Sequence, residues 1–303
     1  MAKGAGLAQG GLKTSQRSAA TQCQGRTAVL KLFTAHNSIC TQKVFLTLLE
    51  KDLPWISEYI DLFNNEQYRP DYLRLNPKGV VPTLIHEGRA IIESTLICEY
   101  LDEVFPEPSL IPKTPYGRSQ MRRWSKHIDE GVFEATREIS FSAMFRDKMK
   151  GMSAEQRQGR FRNIGDPGRK ARMMSTYEQG CDSPFVEQGI FAFEKMFGEM
   201  EETLADGRPW LVGQDFSLGD VSVMPFAARL DYLSILDVWI KKRPYVTAWW
   251  QRAKGRPSYY SAIAKLLTGD QIQAMAASGL RIKSQIAANH VEVVNGSTLG
   301  AVA

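Results

Sequence analysis

The stretch "NPKGVVPTLIHEGRAIIESTLICEYL", Asn76 to Leu101, decides the fold. "PTLIH" and "RAII" are short apolar runs separated by Glu87-Gly88. A two-residue connection with Gly second predicts a β-hairpin. Ser94 then opens a helix running to Leu101, with a hydroxyl where a cap is wanted. Asn76-Pro77 and Val81-Pro82 punctuate the approach, so the first hairpin strand is entered through a proline.

Working outward, "AVLKLF" predicts a buried strand over Val29–Phe33. "TQKVFLTLLEKD" predicts a helix from Ser38 or Cys40 to Lys51, and "LPWISEYIDL" a second strand entered through Pro54. Strand, helix and strand within about thirty residues imply a right-handed crossover and parallel pairing. With a short helix before Asn76, the order βαβ, α, ββα is that of a thioredoxin-like α/β domain.

Downstream, "FPEPSLIPKTP" carries four prolines and reads as a stiff linker. Beyond it the pattern is helical. Phe191, Phe193, Met196, Phe197 and Met200 make one apolar face. "FSLGDVSV" places Ser217 and Asp220 at capping-box spacing, a folding element rather than a site. Trp249 and Trp250 read as core. The expected organisation is a flexible extension over 1–27, a thioredoxin-like domain over 28–107, a linker over 108–115, an all-α domain over 116–268, and a frayed tail over 269–303. The extension is acid-poor, and an organelle transit peptide is its alternative reading.

One segment inside the helical half stands out. Residues 146–172 hold nine basic and three acidic side chains, an excess of six against a whole-chain net charge of +5. It reads either as a solvated surface loop or as a basic lid that draws in anionic substrates.

Composition narrows the function. Hydrophobic content of 43% and aromatic content of 10% are ordinary for a globular protein. The mild charge argues for small anionic ligands more than for nucleic acid. Cys23, Cys40, Cys98 and Cys181 show no C-x-x-C spacing, and His36, His86, His127 and His290 share no ligand spacing. No metal site or disulfide framework is expected, and a reducing compartment, the cytoplasm, is the simpler setting. No apolar run is long enough to span a bilayer.

The motifs "NPKGVVPTL" and "ESTLICEYLDEVFPE", in that order before an all-helical half, resemble the soluble glutathione transferases over about Val29 to Leu267. The resemblance implies a thioredoxin-like glutathione domain, a helical domain supplying the second-substrate pocket, glutathione as co-substrate and a homodimer. It makes Val81-Pro82 a cis bond that exposes the Val81 backbone to an extended peptide. Ser94 as N-cap and Glu93 beside it match the α-amino acid end of a γ-glutamyl group. Lys43 and Lys78 are candidates for the glycyl carboxylate.

The bend "FTAHNSICTQKV", Phe33 to Val44, carries the chemistry. A free thiol titrates near pH 8.5, and lowering that by about two units needs ~2.7 kcal/mol of thiolate stabilisation. A hydroxyl donor and a helix N-terminus supply it. Ser38 holds the serine place of the serine-type transferases, with Asn37 as helper. Cys40 is the alternative, by which the chain resembles the cysteine-type members, and Thr41 is a third candidate. The motif "ESTLICEYLDEVFPE" and the Arg/Met-rich insert look most like the bacterial β-etherases, which cleave β-aryl ethers of lignin-derived compounds. Trp124, Phe141, Met144 and Phe145 are candidate walls for a small hydrophobic aromatic substrate. A detoxifying transferase or peroxidase and a non-catalytic interaction module are the other readings.

Overall fold

The computed structural model describes residues 29–300, with side chains over 29–296. The expected N-terminal extension lies outside these residues. Strand β1 (Leu30–Thr34) leads through the bend into α1 (Ile39–Glu50) and then β2 (Trp55–Tyr59). A 3-10 turn (Glu66–Tyr68) and α2 (Pro70–Leu73) precede the hairpin β3 (Thr83–His86) and β4 (Arg89–Ile92), followed by α3 (Ser94–Val104). The sheet order is β2-β1-β3-β4. β1 and β2 are parallel, with Leu30 opposite Trp55, and β3 runs antiparallel to both β1 and β4. The hairpin turns at Glu87 and Gly88, with φ of 50° and 75°. Positive φ at both central residues gives the turn a twist matching its strands, which is why glycine is wanted there. This is the expected thioredoxin-like topology.

The helical half contains α4 (Pro115–His127), α5 (Phe133–Ser140), α6 (Arg146–Lys150), α7 (Ala154–Arg162), α8 (Pro167–Gln179), α9 (Pro184–Leu204), α10 (Leu218–Tyr232), α11 (Asp237–Ile240), α12 (Pro244–Lys254), α13 (Pro257–Ala262) and α14 (Gly269–Gly300). π turns at Ile128–Val132 and Phe141–Phe145 bracket α5. They rotate its faces relative to its neighbours, as π bulges do at functional sites.

Two segments differ from expectation. The basic segment is no loop: it spans α6, α7 and the start of α8. α7 buries no residue and is held by a reciprocal cap between Ser153 and Gln156, while Asp166 caps α8. Capping without an apolar stripe explains why periodicity did not reveal α7. The expected tail is instead the 32-residue α14. It packs along α9, with Met275, Ile286 and Val293 buried.

One apolar core joins the two halves, and α1 packs against both α10 and α13. Polar bonds lock the seam. Arg256 donates to both oxygens of Glu50 at 2.7 and 2.6 Å, and its guanidinium lies 4.0 Å from the Phe216 ring centroid. The buried Asp102 carboxylate gathers Lys51 Nζ at 2.6 Å and the linker N–H groups of Leu110 at 2.7 Å and Ile111 at 3.2 Å. Lys51 also donates to the Pro108 carbonyl at 2.6 Å. No helix among the described residues is long and apolar enough to cross a membrane.

Candidate active site

Ser38 is the N-cap of α1, with extended backbone, and its Oγ accepts the Thr41 N–H at 3.3 Å. The hydroxyl hydrogen stays available to a ligand. The Ala35 carbonyl accepts the Ser38 N–H at 2.9 Å and closes the bend. Asn37 is fixed from below. Arg229 Nη2, from α10, donates to its carbonyl at 2.7 Å and to its Oδ1 at 2.6 Å, while Nη1 donates to Ser140 Oγ at 3.3 Å. Burial drives the Arg229 pKa down to about 10, so it stays cationic at neutral pH.

Cys40 faces the same space. Desolvation raises its pKa, and the Lys43 charge and a Ser94 hydrogen bond only partly oppose that. A half-buried thiol held protonated is a poor nucleophile. Thr41 contributes only its N–H, because its hydroxyl is buried without a partner.

The groove beside Ser38 suits an extended peptide. Val81-Pro82 is cis. Neither the N–H nor the C=O of Val81 finds a partner among the described residues, because the β1–β3 ladder begins at Thr83. Tyr72 Oη at 2.7 Å and Asn76 Nδ2 at 2.9 Å both donate to the Val80 carbonyl and brace this turn. At the far end Glu93 is the N-cap of α3 and offers no side-chain cap. Ser94 is therefore the first helical residue rather than the cap. The N–H groups of the first turn are open to a carboxylate. Glu93 has φ of 71° and accepts Lys78 Nζ at 2.5 Å at the groove rim. Lys43 is placed differently from expectation: it is buried, and its ammonium is spent on Thr95 Oγ1 at 2.6 Å.

Two adjoining compartments result. One, about 740 Å³, is lined by Cys40, Lys78, Val81, Pro82, Glu93 and Ser94. The other, about 480 Å³, is bounded by Asn37, Ser38, Tyr59, Phe63, Phe133 and Arg229, with Phe141 and Phe145 behind. Cys40, Val81, Phe133, Arg137 and Arg169 line both. Trp124 and Met144 do not reach either: Trp124 is fully buried in the core and Met144 packs against it. Sequence reasoning missed Tyr59, Phe63, Phe133 and Arg229, which come together only through the fold, while Arg160 belongs to the basic segment that it singled out.

Residues 37–104 match the family model for the glutathione S-transferase N-terminal domain, and residues 185–252 match the C-terminal domain. The chain belongs to the glutathione S-transferase superfamily. The first match covers the bend, the Val81-Pro82 turn and the α3 N-terminus, so this transferase has glutathione as its co-substrate. Protein LigF of Sphingobium sp. is 29% identical over 76% of this chain and 91% of its own length. A solved structure of the beta-etherase LigF from a Sphingobium strain superposes with a TM-score of 0.69 at 28% identity, over 78% of this chain and 99% of that one. The tetrachloro-p-hydroquinone reductive dehalogenase of Sphingobium chlorophenolicum is 26% identical over 77% of this chain and 95% of its own length.

Proposed function

We propose that this transferase cleaves β-aryl ethers of lignin-derived aromatic compounds, with Ser38 stabilising the glutathione thiolate. Glutathione lies extended along the larger compartment. Its peptide pairs with Val81, its γ-glutamyl carboxylate meets the first turn of α3, and its ammonium meets Glu93. Lys78 remains the candidate for the glycyl carboxylate. The sulfur then reaches Ser38 Oγ at the α1 N-terminus, where a hydroxyl donor and the helix dipole favour the anion. The thiolate attacks the carbon bearing the aryloxy group in the smaller, aromatic-walled compartment. A C–S bond forms, the C–O bond breaks, and the phenolate leaves with the electron pair.

The observation that carries this reading is that Ser38 lines the aromatic compartment where it adjoins the open peptide groove. The desolvated Cys40 weighs against a cysteine-type thiol transferase. The likeness to a β-etherase favours ether cleavage over general conjugation. A homodimer in the cytoplasm is part of the same reading and rests on the family likeness.

The test assays a β-aryl ether ketone beside a generic chloronitroaromatic, with Ser38→Ala and Cys40→Ala in parallel. Loss of turnover in Ser38→Ala with turnover retained in Cys40→Ala is expected. The reverse pattern would assign the chemistry to Cys40, and activity confined to the generic electrophile would remove the ether assignment.

A further inference from the structure

We propose that the aromatic compartment is built for a negatively charged electrophile, an aromatic ring bearing a carboxylate or a like anion, and that Arg160 on α7 recognises the charge. This rests on the transferase reading above and names the substrate class.

Of the nine basic residues in the insert, only Arg160 and Arg169 line the clefts, and Arg160 lines the aromatic compartment alone. Arg160 reaches back across the chain to the loop after β2. Its Nη2 donates to the Phe63 carbonyl at 3.1 Å, and its guanidinium lies 4.5 Å from the Phe63 ring centroid. These contacts aim the fork without neutralising it. Among the described residues no carboxylate lies within ion-pair distance of Arg160. Nor does one reach Arg229 on the floor, whose bonds go to neutral oxygens.

The carboxylate lining this compartment is Asp61, which bonds to neutral donors of its own loop and pairs with no arginine among the described residues. It accepts the N–H groups of Phe63 at 2.8 Å and Asn64 at 3.1 Å, and Asn64 Nδ2 at 2.8 Å. Arg137 is paired with Glu134 and Glu138. Three guanidiniums without an ion pair among the described residues, Arg160, Arg169 and Arg229, therefore share a compartment with one carboxylate and aromatic walls. Closing it over a neutral ligand would strip them of water with no return, whereas an anion on the ligand offsets that cost. The carboxylates of glutathione are received in the other compartment, where Arg160 is absent. The charge at Arg160 thus answers to the second substrate.

The full chain is assayed with glutathione and a chlorodinitrobenzoate, then with its methyl ester. In both the thiolate displaces chloride: the C–S bond forms, chloride leaves with the electron pair, and the thiol proton goes to solvent. Each kcat/KM is divided by the uncatalysed rate. The acid is expected to win by tenfold or more at low ionic strength, and added salt shrinks the ratio. Arg160→Gln, on a helix with no buried residue, cuts the ratio at least fivefold. A ratio favouring the ester, or one unmoved by Arg160→Gln, overturns the inference. Binding of the two preformed glutathione conjugates, read by tryptophan quenching, separates this from failed chemistry. An Arg160-dependent preference for the acid conjugate without turnover keeps the anion site and removes the transferase mechanism. No binding of either conjugate overturns the site.

Discussion

Arg229 grips Asn37 at both its carbonyl and its side-chain oxygen, at 2.7 and 2.6 Å, from beneath the bend that presents Ser38. The helical half thus holds the bend of the thioredoxin-like half. The grip is also electrostatic, because the guanidinium forms no ion pair among the described residues and, on the proposed mechanism, lies under the place where the thiolate forms.

Arg229→Met keeps an unbranched apolar stem and removes the charge. Losing a cation disfavours the anionic sulfur, so the pKa of bound glutathione should rise. From a bound-thiol pKa of about 6.5, a rise of about one unit leaves roughly threefold less thiolate at neutral pH. Thiolate absorbance of the glutathione complex, titrated against pH, measures it directly, and the pH–rate profile should move to higher pH in step. An unmoved thiol pKa would reduce Arg229 to a packing role.

Asp102 is the anchor of the linker. Its carboxylate is shared among Lys51, Leu110 and Ile111, and its removal strands the Lys51 ammonium, whose side chain is fully buried. Breaking a buried pair from one side costs about 3–5 kcal/mol. Asp102→Ala should show that loss in urea unfolding. The double variant Asp102→Ala with Lys51→Met should recover part of it, since no charge is then left unpaired.

Glu194 ties α9 to the far end of the helical half. Burial would raise its pKa, but hydrogen bonds from His290 at 2.6 Å and from Arg243 at 3.1 Å outweigh burial and hold it down at about 2. A folded pKa below the unfolded value means stability present above the ordinary glutamate range and lost as pH falls toward 2. After allowing for solvent screening of this partly exposed group, the loss is about 2 kcal/mol. Stability against pH from 5 to 2 should be steeper in the parent chain than in Glu194→Gln, and equal slopes would count against the assignment.

Much of the glutathione side was legible because its signals are local. Glu87-Gly88, the strand runs and the Ser38 cap each sit within a few residues of what they determine. The helical half was less legible where helices lack an apolar stripe. α7 is held by capping alone, and α14 meets its partners over a long, weakly patterned face. Trp124 and Met144 were placed on the pocket because an apolar residue on a helix does not declare whether it faces core or cleft. The π turns decide this, leaving Phe141 and Phe145 on the cleft and Met144 against the core. Arg229 stands 192 residues from Asn37, so no spacing rule could pair them.

Gly279 shows how α14 reaches the site. A Cβ there would lie 1.8 Å from the Leu233 carbonyl oxygen and 2.6 Å from its carbonyl carbon, at the end of α10. Backbone cannot step aside as a flexible side chain would, so Gly279→Ala must push the two helices apart. Overpacking of this kind costs about 1–3 kcal/mol. The displacement has a functional address. α14 packs against the π turn carrying Phe141 and Phe145, and Arg281 donates to the Ala143 carbonyl there at 3.4 Å. Gly279→Ala should therefore raise KM for the aromatic substrate while leaving glutathione affinity near that of the parent. Steady-state kinetics with each substrate varied in turn, alongside hydrogen exchange over α14, distinguishes this from general destabilisation, which would weaken both.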